Sequence, residues 1–422
     1  MKNEIRYMRF YISNWLLIAT LVGFGGGVAA VGLQTLIIFI NEISGNIPLW
    51  LAPAIGGILV SVIYIWDKLA SYYGTNHYIK AVNKTPDLLS FKTCFSKLLA
   101  TAITLGFHGS GGVTGPMLVI GGSFASGISK IPLFKGKLSE EDYRRLIICG
   151  AAGAIGAIFR SPIGGGILVV EILYLSSLHY ADLFPAMLSS VMGYVSFSML
   201  SHGRPLFIIP NFQSSGYHIA LFILSAILAS LTSLFFISVF RKSQSIFGKI
   251  PYKKFHPVLG GILTGMVLLA APKAAGIGSN MIQDMIVTKY PIQILLILLF
   301  GKILATSFTV SSGGSAGLVI PSLFIGAISG NIFLTILPEQ EVGLAAALVT
   351  AGMAASLACV VNVPISAAVI LMEVVGHNVG VPATIGSVIG FIIGHSKVIY
   401  QETSPDYSDF LRNKKFRESN MN

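Results

Sequence analysis

Residues 106–122 read Gly-Phe-His-Gly-Ser-Gly-Gly-Val-Thr-Gly-Pro-Met-Leu-Val-Ile-Gly-Gly, a glycine-rich turn between two apolar segments. Its proline fits the first turn of a helix, and its glycines allow other groups to approach the main chain closely. Inside a hydrocarbon layer, the N–H groups at such a helix start need a hydrogen-bond partner, and they carry partial positive charge. The stretch therefore predicts a broken membrane helix whose N-terminus binds an anion.

The composition indicates a protein that crosses a membrane several times. Of 422 residues, 54% are hydrophobic and 11% are charged, whereas soluble domains carry about 25% charged residues. The first apolar run, Trp15–Ile40, is too long for the core of a secretory signal and lacks a convincing cleavage site. The 46 glycines and 18 prolines are typical of interrupted, closely packed membrane helices.

The net charge of +11 is interpreted as membrane topology and not as a nucleic-acid footprint. Basic residues flank the apolar part of the chain at both ends, so the positive-inside tendency places both termini in the cytoplasm and the protein in the cell membrane. These residues are Lys2, Arg6, Arg9, Arg412, Lys414, Lys415 and Arg417. The cysteines Cys94, Cys149 and Cys359 have no paired spacing and are predicted to be buried thiols. No cofactor is expected.

The chain divides into two membrane halves with short polar ends. We predict a cytoplasmic segment at 1–13, a first membrane repeat at 14–205 and a loop at 206–215. A second membrane repeat follows at 216–396, and a basic cytoplasmic segment at 397–422. Several predicted helices are shorter than the ~20 residues that a perpendicular span needs, so these helices are tilted, partial or re-entrant.

An internal repeat supports this division. Ser110-Gly111-Gly112 returns as Ser312-Gly313-Gly314, at an offset of 202 residues. Pro162 and Glu171 return at the same offset as Pro364 and Glu373. Interrupted segments at matching positions of two halves point to a transport site near the membrane midplane. The fold class predicted is an all-α polytopic membrane protein built from two repeats.

Several stretches together resemble the CLC chloride channel and transporter family over nearly the full length. Gly112–Pro116 is similar to the family's Gly-Lys/Arg-Glu-Gly-Pro motif. Ala151–Glu171 resembles its stretch ending in a proline-initiated helix and a glutamate. Ser312–Gly330 and the loop around Pro205-Leu206-Phe207 and Pro210 match two further motifs.

The resemblance implies inverted-topology repeats, a homodimer in the lipid bilayer, and one chloride pathway in each subunit. In that fold, two side-chain hydroxyls and the main-chain N–H groups of two broken helices hold the anion. Thr75 matches the serine of one family motif, although the proline that follows that motif is missing here. Tyr407 best matches the C-terminal tyrosine, with Tyr400 as the alternative. The main-chain positions are Val113, Thr114, Gly115, Leu318 and Val319, where Val319 replaces the family's phenylalanine.

Two departures from the family pattern concern proton coupling. Thr114 stands at the position of the gating glutamate, and Ile172 stands at the position of the antiporters' second proton-transfer glutamate. A threonine hydroxyl cannot occupy the anion site as a carboxylate does, and it does not take up a proton. We therefore expect a passive, proton-uncoupled chloride conduit and no enzymatic activity.

Other functions stay open at this level. The protein could carry fluoride, nitrate or an organic acid, for which Asn76-His77 beside Thr75 gives some weight. It could be a proton-coupled antiporter with a non-standard proton path, or a non-conducting descendant of the family. His108-Gly109-Ser110-Gly111 superficially resembles the nucleophile turn of a serine hydrolase, but no catalytic base is apparent.

Individual residues also have structural interpretations. Thr75 could simply cap its helix. Glu171 and Glu373 end helices that begin at proline, so structural roles are expected for both. Arg160 either attracts anions into a vestibule or lies at the membrane interface.

Overall fold

The computed structural model describes sixteen α-helices. Side chains are described for residues 15–71, 73–84, 88–131, 139–175, 177–201, 206–209, 212, 214–338, 341–395, 397, 399–400 and 403, and the backbone alone for 2–14. The helices are α1 Lys2–Ser44, α2 Ala52–Trp66, α3 Gly74–Asn83, α4 Phe91–Gly106, α5 Thr114–Ser129, α6 Glu140–Phe159, α7 Pro162–Glu171, α8 Tyr180–Ser201, α9 His218–Lys249, α10 His256–Ala270, α11 Ser279–Val287, α12 Ile292–Ser311, α13 Val319–Ile336, α14 Val342–Val361, α15 Pro364–Val375 and α16 Gly380–Gly394.

Seven helical segments of the described chain are long and apolar enough to cross a membrane. They lie in α1, α8, α9, α12, α13 and α14 and in the segment that contains α16. Large apolar side chains on the outer helices are exposed, among them Leu17, Leu231 and Ile392, as expected for surfaces that contact lipid. In contrast, almost all of α14 is buried. The predicted polytopic α-helical class is confirmed.

The two halves of the chain have the same packing. Helix α1 contacts α4, α5, α6 and α8, and α9 contacts the corresponding helices α12, α13, α14 and α16. The pairs α3–α5 and α11–α13 repeat in the same way. Across the boundary, α2 packs against its counterpart α10, and α7 packs against α15. The predicted pair of repeats, α1–α8 and α9–α16, is therefore present.

The glycine turns of the two halves correspond differently from the sequence prediction. The Ser110 N–H donates to the Thr309 hydroxyl at 3.1 Å, and the Ser315 N–H donates to the Thr104 hydroxyl at 3.0 Å. This reciprocal pair gives an offset of 205 residues (309 minus 104, and 315 minus 110). The equivalent of Ser110 is therefore Ser315 and not Ser312.

The offset of 202 holds only after these turns. Pro162 begins α7 and Pro364 begins α15, as predicted. The three-residue difference is taken up between the helices that follow the two turns, because the link from α13 to α14 is shorter than the link from α5 to α6. A single offset for both motifs was therefore wrong, although the repeat itself is correct.

Two helix starts depart from a simple division at the membrane ends. Helix α1 runs through the proposed boundary at residue 13. Helix α6 begins at Glu140 with three acidic residues in its first turn. Ser139 and Asp142 form a reciprocal capping box at this start, which satisfies N–H groups that would otherwise be unpaired.

Pairs of glycines bring α5 against α6 and α13 against α14. A Cβ atom on Gly121 would lie 2.1 Å from the Gly150 carbonyl oxygen, and one on Gly150 would lie 2.2 Å from that of Gly121. Gly326 and Gly352 form the same contact, at 2.4 and 2.6 Å. Any side chain at these positions would separate α5 from α6 or α13 from α14, so small residues are required here.

Two carboxylates, one buried (Glu171) and one half-buried (Glu373), join the repeats. Glu171, at the end of α7, accepts hydrogen bonds from the N–H groups of Ile365 and Ser366, both at 2.8 Å, and from the Ser366 hydroxyl at 2.6 Å. Glu373 does the same for the start of α7, where it accepts from the Gly164 N–H at 2.9 Å and from a serine hydroxyl. Each glutamate thus caps the partner helix of the opposite repeat, which supports the structural role expected for both.

We predict that Glu171→Ala destabilises the protein by about 1–3 kcal/mol, because the buried N–H groups at the start of α15 lose their acceptor. Thermal unfolding in detergent, followed by tryptophan fluorescence, measures the effect. Glu42→Ala, at an exposed position of α1, is the control and should unfold at the wild-type temperature. Equal unfolding temperatures for both variants would contradict the capping role.

Candidate anion site at three helix starts

The starts of α3, α5 and α13 lie close together. A Cβ atom on Gly115 would be 3.0 Å from the Thr75 hydroxyl oxygen and 3.6 Å from the Gly317 Cα atom. The turns that precede α5 and α13 are bonded to each other: the Gly112 N–H donates to the Gly317 carbonyl at 2.8 Å, and the Gly317 N–H donates back at 2.6 Å. The glycines of the turns make this close approach possible.

The main-chain N–H groups at these starts have no acceptor in the described part of the chain. In α5, the first helical bond is the one from the Met117 N–H to the Val113 carbonyl, at 2.9 Å. Helix α13 begins in the same way, with the Ser322 N–H donating to the Leu318 carbonyl at 2.9 Å. All five main-chain positions predicted from the sequence therefore present unpaired N–H groups at adjoining helix starts, where partial positive charge accumulates.

Two threonine side chains lie at the same place. Thr75 is in the first turn of α3 and is 1% exposed. Tyr73 occupies the capping position of this helix, and no side chain makes a capping hydrogen bond there, so the alternative of Thr75 as a helix cap is wrong. Thr114 is fully buried at the start of α5, and its hydroxyl has no hydrogen-bond partner in the described part of the chain.

The tyrosine predicted for the site, Tyr407, lies outside the described residues. Its alternative, Tyr400, is 2% exposed, and its hydroxyl interacts with the side chains of Thr75 and Tyr73. The hydroxyls of Tyr73 and Tyr400 make no hydrogen bond of good geometry within the described residues. Three hydroxyl groups thus meet beside the start of α3. Ile172, in contrast, is buried at the end of α7 and adds no polar group.

The sequence of the whole chain identifies its family. A sequence model described as "Voltage gated chloride channel" matches residues 63–395. This chain belongs to the CLC family.

Similar proteins cover nearly all of this CLC chain. Protein MJ0305 of Methanocaldococcus jannaschii is 33% identical over 92% of the chain and 95% of its own length. The voltage-gated ClC-type chloride channel ClcB of Escherichia coli is 25% identical over 93% of the chain and 99% of its own length.

Solved CLC structures confirm the fold. The crystal structure of a CLC-type fluoride/proton antiporter matches with a TM-score of 0.82 at 18% identity, covering 94% of this chain and 99% of that one. A slow cyanobacterial chloride/proton antiporter matches with a TM-score of 0.77 at 21% identity, covering 92% and 96%. At these identities the comparison concerns the fold alone.

Two cavities adjoin the helix starts of this CLC protein. The larger, about 600 Å³, is lined by Asn41, His108 and Arg160 and reaches Val113. The smaller, about 140 Å³, is lined by residues that include Ser71, Tyr73, Gly74 and Ala316. Asn41 lies in the last turn of α1, before the link to α2, and Ser71 lies shortly after α2, whose 15 residues span about 22 Å. The two cavities therefore lie on opposite sides of the layer.

The sequence interpretation missed two buried lysines and Tyr73. Lys97 of α4 donates to the Ala70 carbonyl at 2.9 Å, and Lys302 of α12 donates to the Ala274 and Gly276 carbonyls at 3.2 and 2.8 Å. The lysines are 205 residues apart, the offset that relates the turns, so this offset was the signal that could have found them. His108, half-buried, and Ser110 make no hydrogen bond to each other, because the Ser110 hydroxyl bonds the Ala274 carbonyl instead.

We predict that Gly115→Ala weakens anion binding by about tenfold or more, because the new methyl group would push Thr75 away from the helix starts. Isothermal titration of the purified protein with chloride measures the affinity. Gly32→Ala is the matched control, since a Cβ atom at Gly32 would have no neighbour within 4 Å. Unchanged affinity in the Gly115 variant would argue against a site at this position.

Proposed function

We propose that this CLC protein is a passive, proton-uncoupled chloride channel or uniporter. The observation that carries the proposal is the buried Thr114 at the start of α5, whose hydroxyl has no partner among the described residues. A hydroxyl can donate to a passing anion but cannot replace it or carry a proton across. Ile172, buried and apolar, offers no second proton carrier.

In this proposal the anion is held by donors from three helices. The N–H groups of five residues surround it, together with the hydroxyls of Thr75, Thr114 and Tyr400. Tyr400 takes the place first assigned to Tyr407, because it is buried beside Thr75. The main-chain donors are those of Val113, Thr114, Gly115, Leu318 and Val319. Such donors bind an anion without any fixed positive charge, as at other helix starts.

Orientation and assembly follow from the same proposal. With both termini in the cytoplasm, α1 crosses outward, so the larger cavity faces outside and the smaller cavity faces the cytoplasm. Arg160 and Lys273 line the outer cavity, where positive charge raises the local anion concentration. The protein works in the cell membrane as a homodimer with one pathway in each subunit.

The alternative is coupled transport, of chloride or of fluoride, as in the two structurally similar proteins, a fluoride/proton antiporter and a chloride/proton antiporter. The polar cluster that could support a different proton path is centred on Asp182, which bonds Arg144 at 2.6 Å and His179 at 2.9 Å. It packs between α6 and α8, and nothing in the described contacts joins it to Thr114.

We predict that liposomes containing the protein release chloride down its gradient with no proton movement. The test records chloride and pH electrodes together, with valinomycin present to carry the balancing potassium current. Protein-free liposomes give the baseline. A pH change that depends on the protein and is driven by the chloride gradient would refute uncoupled transport.

We further predict that Thr114→Glu reduces chloride flux at neutral pH and that flux recovers as the pH falls. A carboxylate at this position competes for the amide donors and leaves when it is protonated. Thr114→Gln is the matched control, because it has the same size but cannot ionise. Equal pH profiles for the two variants would show that Thr114 does not face the anion.

A further inference from the structure

Tyr73 adds a fourth hydroxyl to those of Thr75, Thr114 and Tyr400. It lies directly before α3, and its hydroxyl oxygen is buried without a hydrogen-bond partner of good geometry in the described chain. The hydroxyls of Tyr400 and Thr114 are also buried and also lack a hydrogen-bond partner in the described chain. We propose that Tyr73 is an anion ligand and the inner gate of the pathway, an inference that rests on the proposed transport function.

The ring of Tyr73 is held on two sides. It stacks on Tyr400 with ring centroids 6.0 Å apart and an interplanar angle of 25°. On another side lies Phe240 of α9, at 6.4 Å and 49°. These contacts fix the ring plane, so the hydroxyl is presented to the start of α3 at little cost in side-chain entropy.

The position of the ring makes it a barrier. Among the described residues that line the cytoplasm-facing cavity are Tyr73, Gly74 and Ala316, whereas Thr75 and Tyr400 are not among them. Tyr73 thus forms part of the cavity wall, and its ring stacks on Tyr400. In this proposal, an anion that enters from the cavity passes the phenol before it reaches Thr75.

The unpaired hydroxyls indicate what the site holds. A buried hydroxyl without a partner costs about 1–3 kcal/mol, and several such groups at one point are costly together. The hydroxyls of Tyr73 and Tyr400 lie beside Thr75 at the start of α3, and that of Thr114 lies at the start of α5. The first N–H groups of these helices are also unpaired in the described chain. The ligand that satisfies them is a small inorganic anion, since it accepts from every side and has no donor of its own. A halide fits this description.

The experiment uses the full-length protein with three substitutions. Tyr73→Phe removes only the hydroxyl and keeps the ring contacts. Tyr73→Ala removes the barrier as well. Tyr290→Phe is the matched control, because Tyr290 is a half-buried tyrosine whose ring lies 5.8 Å from the Lys273 ammonium, between α11 and α12. Chloride affinity is measured by titration, and chloride and nitrate fluxes are measured in liposomes.

The expected results separate the two roles. Tyr73→Phe should weaken chloride binding by about tenfold, the effect of losing one hydrogen bond to an ion. Tyr73→Ala should raise the flux and lower the preference for chloride over nitrate. Tyr290→Phe should behave as the wild type. Elution profile and unfolding temperature verify that the Ala variant is folded.

Other outcomes overturn one proposal or the other. If the wild type conducts chloride and Tyr73→Phe binds chloride within twofold of the wild-type affinity, Tyr73 is not a ligand. The hydroxyls of Tyr73 and Tyr400 then bond each other. An Ala variant with unchanged flux and selectivity removes the gate. If the wild type binds no chloride, the same titration with fluoride and nitrate tests whether the site binds another anion. Binding of one of these anions that Tyr73→Phe weakens keeps the ligand role and changes the substrate. Absence of any binding overturns both proposals.

Discussion

Inside a hydrocarbon layer every N–H group at a helix start needs an acceptor, and the proline- and glycine-initiated helices of this fold form two groups in this respect. The starts of α7 and α15 receive a carboxylate from the opposite repeat, Glu373 and Glu171. The starts of α3, α5 and α13 receive no acceptor from the described residues. The same donors, amides with a serine or threonine hydroxyl beside them, thus occur with a carboxylate in one place and with no acceptor from the described residues in the other. The capped pair supports the proposal that the open starts bind an anion.

The duplicated architecture explains how three open starts come to one point. Each repeat supplies a glycine turn, and the turns bond each other through Gly112 and Gly317. Each turn also donates an N–H group to a threonine hydroxyl of the other repeat. A helix that ends in mid-membrane is unstable alone, but its counterpart supplies the missing contacts. Duplication therefore supplies each broken helix with the contacts that it needs in lipid, and it brings the starts of α5 and α13 together.

The sequence predicted the part of this that depends on local chemistry. Membrane class and broken helices follow from glycine, proline and apolar runs, whereas the five amide positions were implied by the resemblance to the CLC family. The correspondence of Ser110 with Ser315 could not be predicted, because Ser312-Gly313-Gly314 is identical to Ser110-Gly111-Gly112 whereas Ser315 is followed by alanine. Only the contacts to Thr104 and Thr309 decide between the two. Tyr73 was missed for a similar reason. An isolated tyrosine before a short helix does not by itself indicate a ligand. Its partner Tyr400 lies more than 300 residues later in the chain, and only the fold brings the two rings together.

The glycine contacts between α5 and α6, and between α13 and α14, have a mechanical consequence. Carbonyl oxygens and Cα atoms meet there with no side chain between them, so one helix cannot slide along the other without a steric clash. The two helices that carry most of the amide donors are thereby fixed to the core of their own repeats. Rocking of α5 against α6 is not available, and the moving parts are side chains and the ion itself. Turnover should then have a low activation enthalpy and depend little on bilayer thickness, unlike that of carriers that rearrange whole helix bundles.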